Sequence, residues 1–105
     1  MRRMGKKIVQ IRMDYSVPES DLSPVFLELA PTFAAIDGLE WKTWTIDQEK
    51  KVCGGVYLFK DGAATKAFLD SDLFTGIEEH PALSGVTADV FDVLPEHSKI
   101  TRGPI

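Results

Sequence analysis

The chain has 105 residues, a net charge of −4, and 44% hydrophobic and 27% charged residues. This length predicts a single domain, 1–105, with a core of ordinary size. The acidic balance argues against a nucleic-acid partner, which would require clustered Lys and Arg on one face. The basic cluster formed by Arg2, Arg3, Lys6 and Lys7 is interpreted as a solvated N-terminal tail over residues 1–6 beside the first strand.

Neither a membrane span nor a signal peptide is expected. No apolar stretch approaches the roughly 20 residues that a membrane helix needs. Gln10, Arg12 and Asp14 interrupt the apolar run after the basic cluster, which argues against a signal peptide. The single Cys53 cannot form an internal disulfide. A cytoplasmic protein without a membrane partner is therefore expected.

The first two predicted elements are a strand and an amphipathic helix. Residues 7–14 alternate between apolar and polar side chains, which is typical of a half-buried strand. After a loop, apolar residues between Leu22 and Ile36 recur at helical spacing, with Ser23 as a candidate N-cap. Pro31 should kink or break this helix, and Gly38 should end it.

A hairpin carries both tryptophans of the chain. Residues 39–46 form the first predicted strand, and residues 52–59 return as its partner after a polar turn. Trp41 and Trp44 are three positions apart, so in a regular strand they point to opposite faces of the sheet. One ring should face the helices and the other should face away from them.

The remaining elements complete a β-α-β-β-α-β order. Asp61 is expected to cap a second helix, and a short turn or helix follows around residues 73–79. Residues 86–94 alternate as a strand, and residues 96–105 are predicted to be a polar tail. The order predicts an α+β, ferredoxin-like fold, in which both helices cover one face of a four-stranded antiparallel sheet.

The open face of this sheet is predicted to be a dimer interface. The strands carry apolar side chains on both faces, as in the pairs Trp41 and Trp44 or Val90 and Phe91. Helices on one side leave the other side too apolar for water. A homodimer that packs sheet against sheet is the simplest way to cover it.

Three segments of the chain resemble a known family. They read GLEWKTWT over 38–45, GGVYLF over 54–59 and DVFDV over 89–93. Together they resemble the YdhR-like monooxygenases of the dimeric α+β barrel superfamily, over roughly residues 8–93. The resemblance implies a homodimer whose two sheets form a barrel, and a small-molecule cavity between sheet and helices. It also implies a link to monooxygenases that oxidise polycyclic aromatic compounds without a cofactor, hence with neither flavin nor metal.

Aromatic side chains are the candidate substrate-binding residues. A flat ligand in such a cavity would lie against Trp and Phe rings. The alternative for each tryptophan is that one ring belongs to the core and the other to the dimer interface. Gly54 and Gly55 either open space opposite the rings or simply allow close packing. The candidate binding residues are Trp41, Trp44, Phe33, Phe59 and Phe68.

Tyr57 and His80 are the candidate catalytic residues. Tyr57 could donate a hydrogen bond to a substrate oxygen, but its face depends on the hairpin register, which the sequence leaves open. His80 could act as a general base because the reference pKa of histidine lies near neutrality. The alternatives are a sheet tyrosine with its hydroxyl at the rim, and an exposed loop histidine before Pro81. No His and Cys spacing suggests a metal site.

Three hypotheses remain in competition at this point. The leading hypothesis is a cofactor-independent monooxygenase acting on a small aromatic, phenolic or quinol-like compound. The alternative is a non-catalytic dimeric binding module for a hydrophobic metabolite, or a dimer whose aromatic residues are only core and interface. The chain contains no Asn. Related dimeric-barrel enzymes use an Asn beside Trp and His or Tyr, so that constellation cannot be complete here.

Overall fold

The computed structural model describes residues 5–105 and has the predicted α+β, ferredoxin-like fold. Its four antiparallel strands form one sheet, in which the first and third strands are central and the second and fourth lie at the edges. Two short helices, the third and the fourth, are added to the β-α-β-β-α-β order. The elements are β1 (Lys7–Tyr15), α1 (Glu19–Ala34), β2 (Leu39–Asp47), β3 (Val52–Phe59), α2 (Gly62–Leu69), α3 (Asp72–Glu78), β4 (Leu83–Asp92) and α4 (Pro95–Ile100).

The core lies between the sheet and helices α1, α2 and α3. Alternate residues of β1, namely Val9, Ile11, Met13 and Tyr15, are buried on the helix-facing side, as the sequence pattern predicts. Their neighbours in the sheet belong to β3 and β4, and Val9 pairs with Tyr57 on β3. The period of two in β1 thus selects the face that meets the helices.

Helix α1 begins earlier than predicted and runs through two prolines. It starts at Glu19 after Pro18, so Ser23 is not its N-cap, and it continues without a break past Pro24 and Pro31. Each proline leaves a carbonyl of the preceding turn without its usual donor. Both prolines lie on the exposed side of the helix, where water can bond to those carbonyls. The expectation of a break at Pro31 was therefore wrong.

The predicted cap of α2 is confirmed, and the predicted stop residue of α1, Gly38, lies against this helix. Helix α1 ends at Ala34, and Gly38 follows four residues later, before β2, with a positive φ of 84° that favours glycine. A Cβ at this position would lie 2.5 Å from the Cβ of Ala64 in α2, so α2 packs too closely for any side chain here. Asp61 caps α2, since its side chain accepts a hydrogen bond of 2.9 Å from the backbone N–H of Ala64.

The C-terminal segment is more structured than a tail. Strand β4 spans Leu83–Asp92 rather than residues 86–94, and residues 95–100 form helix α4. Beyond it, the indole N–H of Trp41 donates a hydrogen bond of 2.7 Å to the carbonyl of Pro104. Leu58, the neighbour of Trp41 on β3, is fully buried although it lies on the face away from the core cluster. The chain end thus covers part of the face that was expected to be open.

The basic cluster at the N-terminus is only partly described. Lys6 forms an ion pair of 2.9 Å with Glu40, and Lys7 in β1 pairs with Asp92. Arg2 and Arg3 lie outside the described residues. Among residues 5–105, no helix combines the length and the apolar character that a membrane span requires.

Candidate functional site

An apolar cavity of about 480 Å³ lies between the sheet and helices α1 and α3. Leu22, Phe26 and Leu29 of α1 line one wall, and Leu73 and Ile77 of α3 line another. The floor belongs to β1, β2 and β3. This size lies within the range of pockets that bind small organic molecules.

The register of the β2–β3 hairpin decides which side chains reach the cavity. Trp44 pairs with Gly55, Lys42 pairs with Tyr57, and Trp41 pairs with Leu58. Trp44, Lys42 and Tyr57 therefore share the helix-facing side, and Trp41 points to the other face. The prediction of opposite faces for the two tryptophans is confirmed, and the open question about Tyr57 is answered.

Four aromatic rings that line the cavity contact one another in a chain. The ring centroids of Phe33 and Trp44 are 5.2 Å apart in an edge-to-face arrangement. The Phe26 centroid also lies 5.2 Å from that of Trp44, and the Phe33 centroid lies 6.3 Å from that of Tyr57. These are favourable geometries for aromatic pairs, so the rings hold one another in place. A flat ligand would meet a preformed aromatic wall.

The predicted candidates divide between the cavity and other parts of the molecule. Phe33, Trp44, Tyr57 and His80 line the cavity. Trp41 does not line it, because it lies on the opposite face and bonds to the C-terminal segment.

Phe59 and Phe68 also lie outside the cavity lining. They are 0% and 3% exposed and pack behind Tyr57, with the Tyr57 and Phe68 centroids 5.1 Å apart. Phe59 on β3 and Phe68 on α2 pack against each other, so both rings belong to the hydrophobic core. Their structural role is to support Tyr57 from behind.

Lys42 is a charged-type residue of the cavity that is absent from the candidates predicted from the sequence. Its Nζ lies 3.3 Å from the ring centroid of Trp44, 3.5 Å from that of Phe33 and 4.7 Å from that of Tyr57. Among residues 5–105, no carboxylate forms an ion pair with it. Burial lowers the pKa of the Lys42 ammonium to about 7, and Cys53 opposes this effect.

A detectable signal for Lys42 existed in the sequence. Residues two apart in a strand share a face, so Lys42 had to point the same way as Trp44. Whichever face of the sheet Trp44 occupied, Lys42 had to occupy the same face. Only the hairpin register and the helix positions show that this side is a cavity.

Gly55 leaves the space that the Lys42 side chain occupies. A Cβ at Gly55 would lie 2.8 Å from Cε of Lys42 and 3.3 Å from Cε1 of Tyr57. A Cβ at Gly54 would lie 1.9 Å from the backbone oxygen of Ile11. Gly54 thus permits close approach of two strands, whereas Gly55 makes room for a functional group in the cavity.

The hydroxyl of Tyr57 has no protein partner within residues 5–105. The residue is 1% exposed, and burial raises the pKa of its hydroxyl. No hydrogen bond from this hydroxyl reaches another described residue. At neutral pH Tyr57 is thus a protonated donor in the cavity wall, available to an acceptor on a ligand.

His80 lies exposed at the rim of the cavity and has one ring nitrogen engaged. Its Nδ1 accepts a hydrogen bond of 3.1 Å from the backbone N–H of Ala82. The neutral ring then carries its proton on Nε2, which is a donor and not a base. This arrangement suits a turn residue better than a general base. In the described part of the chain, no group of three or more His, Cys, Asp or Glu is placed to hold a metal ion.

Comparison with known families gives one match that covers almost the whole chain. The family model described as "Putative mono-oxygenase ydhR" matches residues 8–104. No curated protein sequence is significantly similar to the chain.

Several solved structures share the fold at low sequence identity. The NE2512 protein of unknown function from Nitrosomonas europaea is 18% identical, with a TM-score of 0.70 over 89% of this chain and 93% of that one. A "putative antibiotic biosynthesis monooxygenase" from Caulobacter crescentus CB15 is 22% identical, with a TM-score of 0.69 over 87% and 92%. SnoaB, a cofactor-independent oxygenase from Streptomyces nogalater, is 18% identical, with a TM-score of 0.67 over 85% and 93%. At these identities the likeness shows the fold alone.

Proposed function

Since this chain belongs to the ydhR mono-oxygenase family, we propose that it is a cofactor-independent monooxygenase acting on a small aromatic, phenolic or quinol-like compound. The observation that carries the proposal is the cavity of about 480 Å³ with an aromatic wall and a buried hydroxyl donor. The similarity of the fold to that of SnoaB, a cofactor-independent oxygenase, supports the same reaction class.

The cavity residues divide into binding and polar groups. Phe33 and Trp44 lie edge-to-face, so one of the two rings stacks on the flat face of the substrate while the other contacts its edge. Tyr57 donates a hydrogen bond to a substrate oxygen and stabilises the negative charge that develops there. The apolar walls from α1 and α3 keep water away from reactive intermediates.

The substrate itself supplies the electrons in this reaction. Loss of a hydroxyl proton gives an electron-rich anion that reduces O₂ directly. One oxygen atom enters at a ring carbon, and the other leaves as water. A hydroquinone and O₂ thus become a hydroxyquinone and water, with no separate reductant.

Oxygen uptake by matched tryptophan variants tests the proposal. The purified protein is offered hydroquinones and fused-ring phenols in an oxygen electrode, beside Trp44→Leu and Trp41→Leu. Loss of the Trp44 ring should lower kcat/KM by about two- to twelvefold, since aromatic contacts contribute about 0.5–1.5 kcal/mol. Trp41→Leu removes a ring of equal size from the opposite face and should retain activity. Equal loss in both variants, or no uptake by the parent protein, would contradict the proposal.

A binding module for a hydrophobic metabolite is the second candidate. The absence of Asn from the chain and the engaged Nδ1 of His80 favour it over a complete catalytic constellation. Quenching of tryptophan fluorescence by the same phenols, without oxygen uptake, would identify this function. Loss of that quenching in Trp44→Leu but not in Trp41→Leu would place the ligand in the cavity.

We also propose that the protein is a homodimer joined through the face of the sheet opposite the helices. Phe91 pairs with Ile8 on this face and is 50% exposed, and Leu94, which follows β4, is also exposed. Such apolar side chains favour burial against a second copy. Light scattering should give a dimer for the parent protein and a monomer for Phe91→Glu; a monomeric parent protein would contradict the assembly.

A further inference from the structure

The amine of Lys42 lies in an apolar cavity, and no carboxylate among residues 5–105 forms an ion pair with it. Its Nζ lies within 5 Å of three ring centroids. None of the ion pairs among residues 5–105 includes it. A lysine usually keeps its charged end in water, so this placement is energetically unfavourable for the ammonium form.

The aromatic rings compensate for only part of this cost. A ring face attracts a cation by about 0.5–2 kcal/mol, which is less than the cost of removing an ammonium from water. A negatively charged atom beside Nζ would supply the missing compensation. The cavity is therefore better suited to an anion than its apolar walls suggest.

Other titratable groups around the cavity do not fill this role. Cys53 and Tyr57 on β3 are buried, and burial raises the pKa of both, so they stay protonated near neutral pH. Asp21 of α1, Asp72 of α3 and His80 line the cavity but form no ion pair with Lys42 among the described residues. The position beside Nζ is thus open to a ligand oxygen.

We propose that Lys42 accepts the proton from the hydroxyl of a phenolic or enolic substrate and then holds the resulting oxyanion as an ion pair in the cavity. The O–H bond of the substrate breaks and an N–H bond forms on Nζ, so the neutral pair becomes an ammonium and an oxyanion. The oxygen atom that later departs as water can take up this proton. The inference rests on the proposed monooxygenase function and names its substrate class: acidic phenols, bound as anions.

Tyr57 complements Lys42 in this arrangement. The two residues are cross-strand neighbours on the same face, and Nζ lies over the Tyr57 ring. The Tyr57 hydroxyl stays protonated and donates a hydrogen bond, whereas Lys42 exchanges a proton. An ion pair inside an apolar cavity is strengthened by the low local dielectric. Neutral ethers of the same shape have no hydroxyl proton to transfer, so they cannot form this ion pair.

Binding of 4-nitrophenol without oxygen tests whether Lys42 makes the cavity bind a phenol as its anion. Its anion is yellow, so absorbance reports which form is bound, and 4-nitroanisole is the matched ligand without a proton. The parent protein should bind the yellow anion at a pH where free nitrophenol is mostly neutral. Lys42→Met should bind the anion at least about tenfold more weakly and nitroanisole equally well. Lys66→Met, which changes a lysine that is 77% exposed, is the control.

Each outcome separates this inference from the proposed function. Equal affinity of the anion for the parent protein and a folded Lys42→Met variant would overturn the role of Lys42. Lys42→Gln repeats the test with a polar side chain, in case the Met variant folds differently. Undiminished oxygen uptake by Lys42→Met would refute the inference but leave the monooxygenase intact. Lys42-dependent anion binding without oxygen uptake by any protein would support the anion site and contradict the oxygenase.

Discussion

Replacement of Lys42 by Met should change how the stability of the protein depends on pH. Burial lowers the Lys42 pKa from 10.5 to about 7 in the folded chain. Between these values the unfolded chain carries a proton on Lys42 that the folded chain has lost. Unfolding then takes up a proton, so the free energy of unfolding rises with pH across this window. Met fills a similar volume without a titratable group and should abolish this contribution.

The size of the effect follows from the two pKa values. Relative to high pH, the buried lysine destabilises the folded chain by about 4 kcal/mol at pH 7 and by about 2 kcal/mol at pH 9. From pH 7 to pH 9, the free energy of unfolding of the parent protein should therefore rise by about 2 kcal/mol more than that of Lys42→Met. Partial solvent exposure of the side chain reduces both contributions.

Urea unfolding at fixed protein concentration measures this difference. Parent protein, Lys42→Met and Lys66→Met are unfolded at several pH values from 7 to 9. Lys66 is exposed, and its hydrogen bond with Asp70 raises its pKa, so it stays protonated in both states throughout this range. Its replacement should shift stability equally at each pH. If the difference in the free energy of unfolding between the parent protein and Lys42→Met stays constant across this pH range, Lys42 does not lose its proton in the folded chain as inferred.

Other substitutions test separate parts of the structure. Tyr57→Phe should change the free energy of unfolding by less than about 1 kcal/mol, because its hydroxyl has no partner among residues 5–105, yet weaken phenol binding severalfold by titration. Gly38→Ala should destabilise by about 1–3 kcal/mol in urea, since φ is positive and α2 lies too close. Asp61→Ala should cost about 1 kcal/mol in the same assay by removing the α2 cap. Trp41→Phe should speed amide hydrogen exchange over residues 101–105, since it removes the indole donor. Unchanged exchange there, or wild-type stability in either of the two preceding variants, would contradict the contact concerned.

Local patterns predicted the fold because each depends on near neighbours in the sequence. The period of two in β1, the glycine stop at Gly38 and the Asp61 cap are all visible within a few residues. Of the two outcomes predicted at Pro31, a kink or a break, the break does not occur, and the reason is tertiary. A helix continues past a proline more easily when the proline lies on the solvent side, where water bonds to the carbonyl left without a donor. How α1 packs on the sheet decides that Pro31 lies on this side.

The candidate site could be predicted only in part. Its aromatic character and the inclusion of Phe33, Trp44 and Tyr57 were predicted from residue types and the family resemblance. Phe59 and Phe68 could not be separated from these residues, because buried aromatic side chains look alike in sequence. Their assignment to the core required knowing which rings contact each other across β3 and α2.

The amino-acid sequence by itself determined the order of elements, the helix-facing side of β1 and the opposite orientation of Trp41 and Trp44. These follow from chain chirality, side-chain alternation and hydrophobic burial, which act locally. The tertiary structure alone decided that Lys42 and Tyr57 share the cavity with Trp44, and that the chain end reaches Trp41. The physical reason is that strand register and long-range docking depend on packing between residues that are distant in sequence, and a shift of one residue would exchange the two faces.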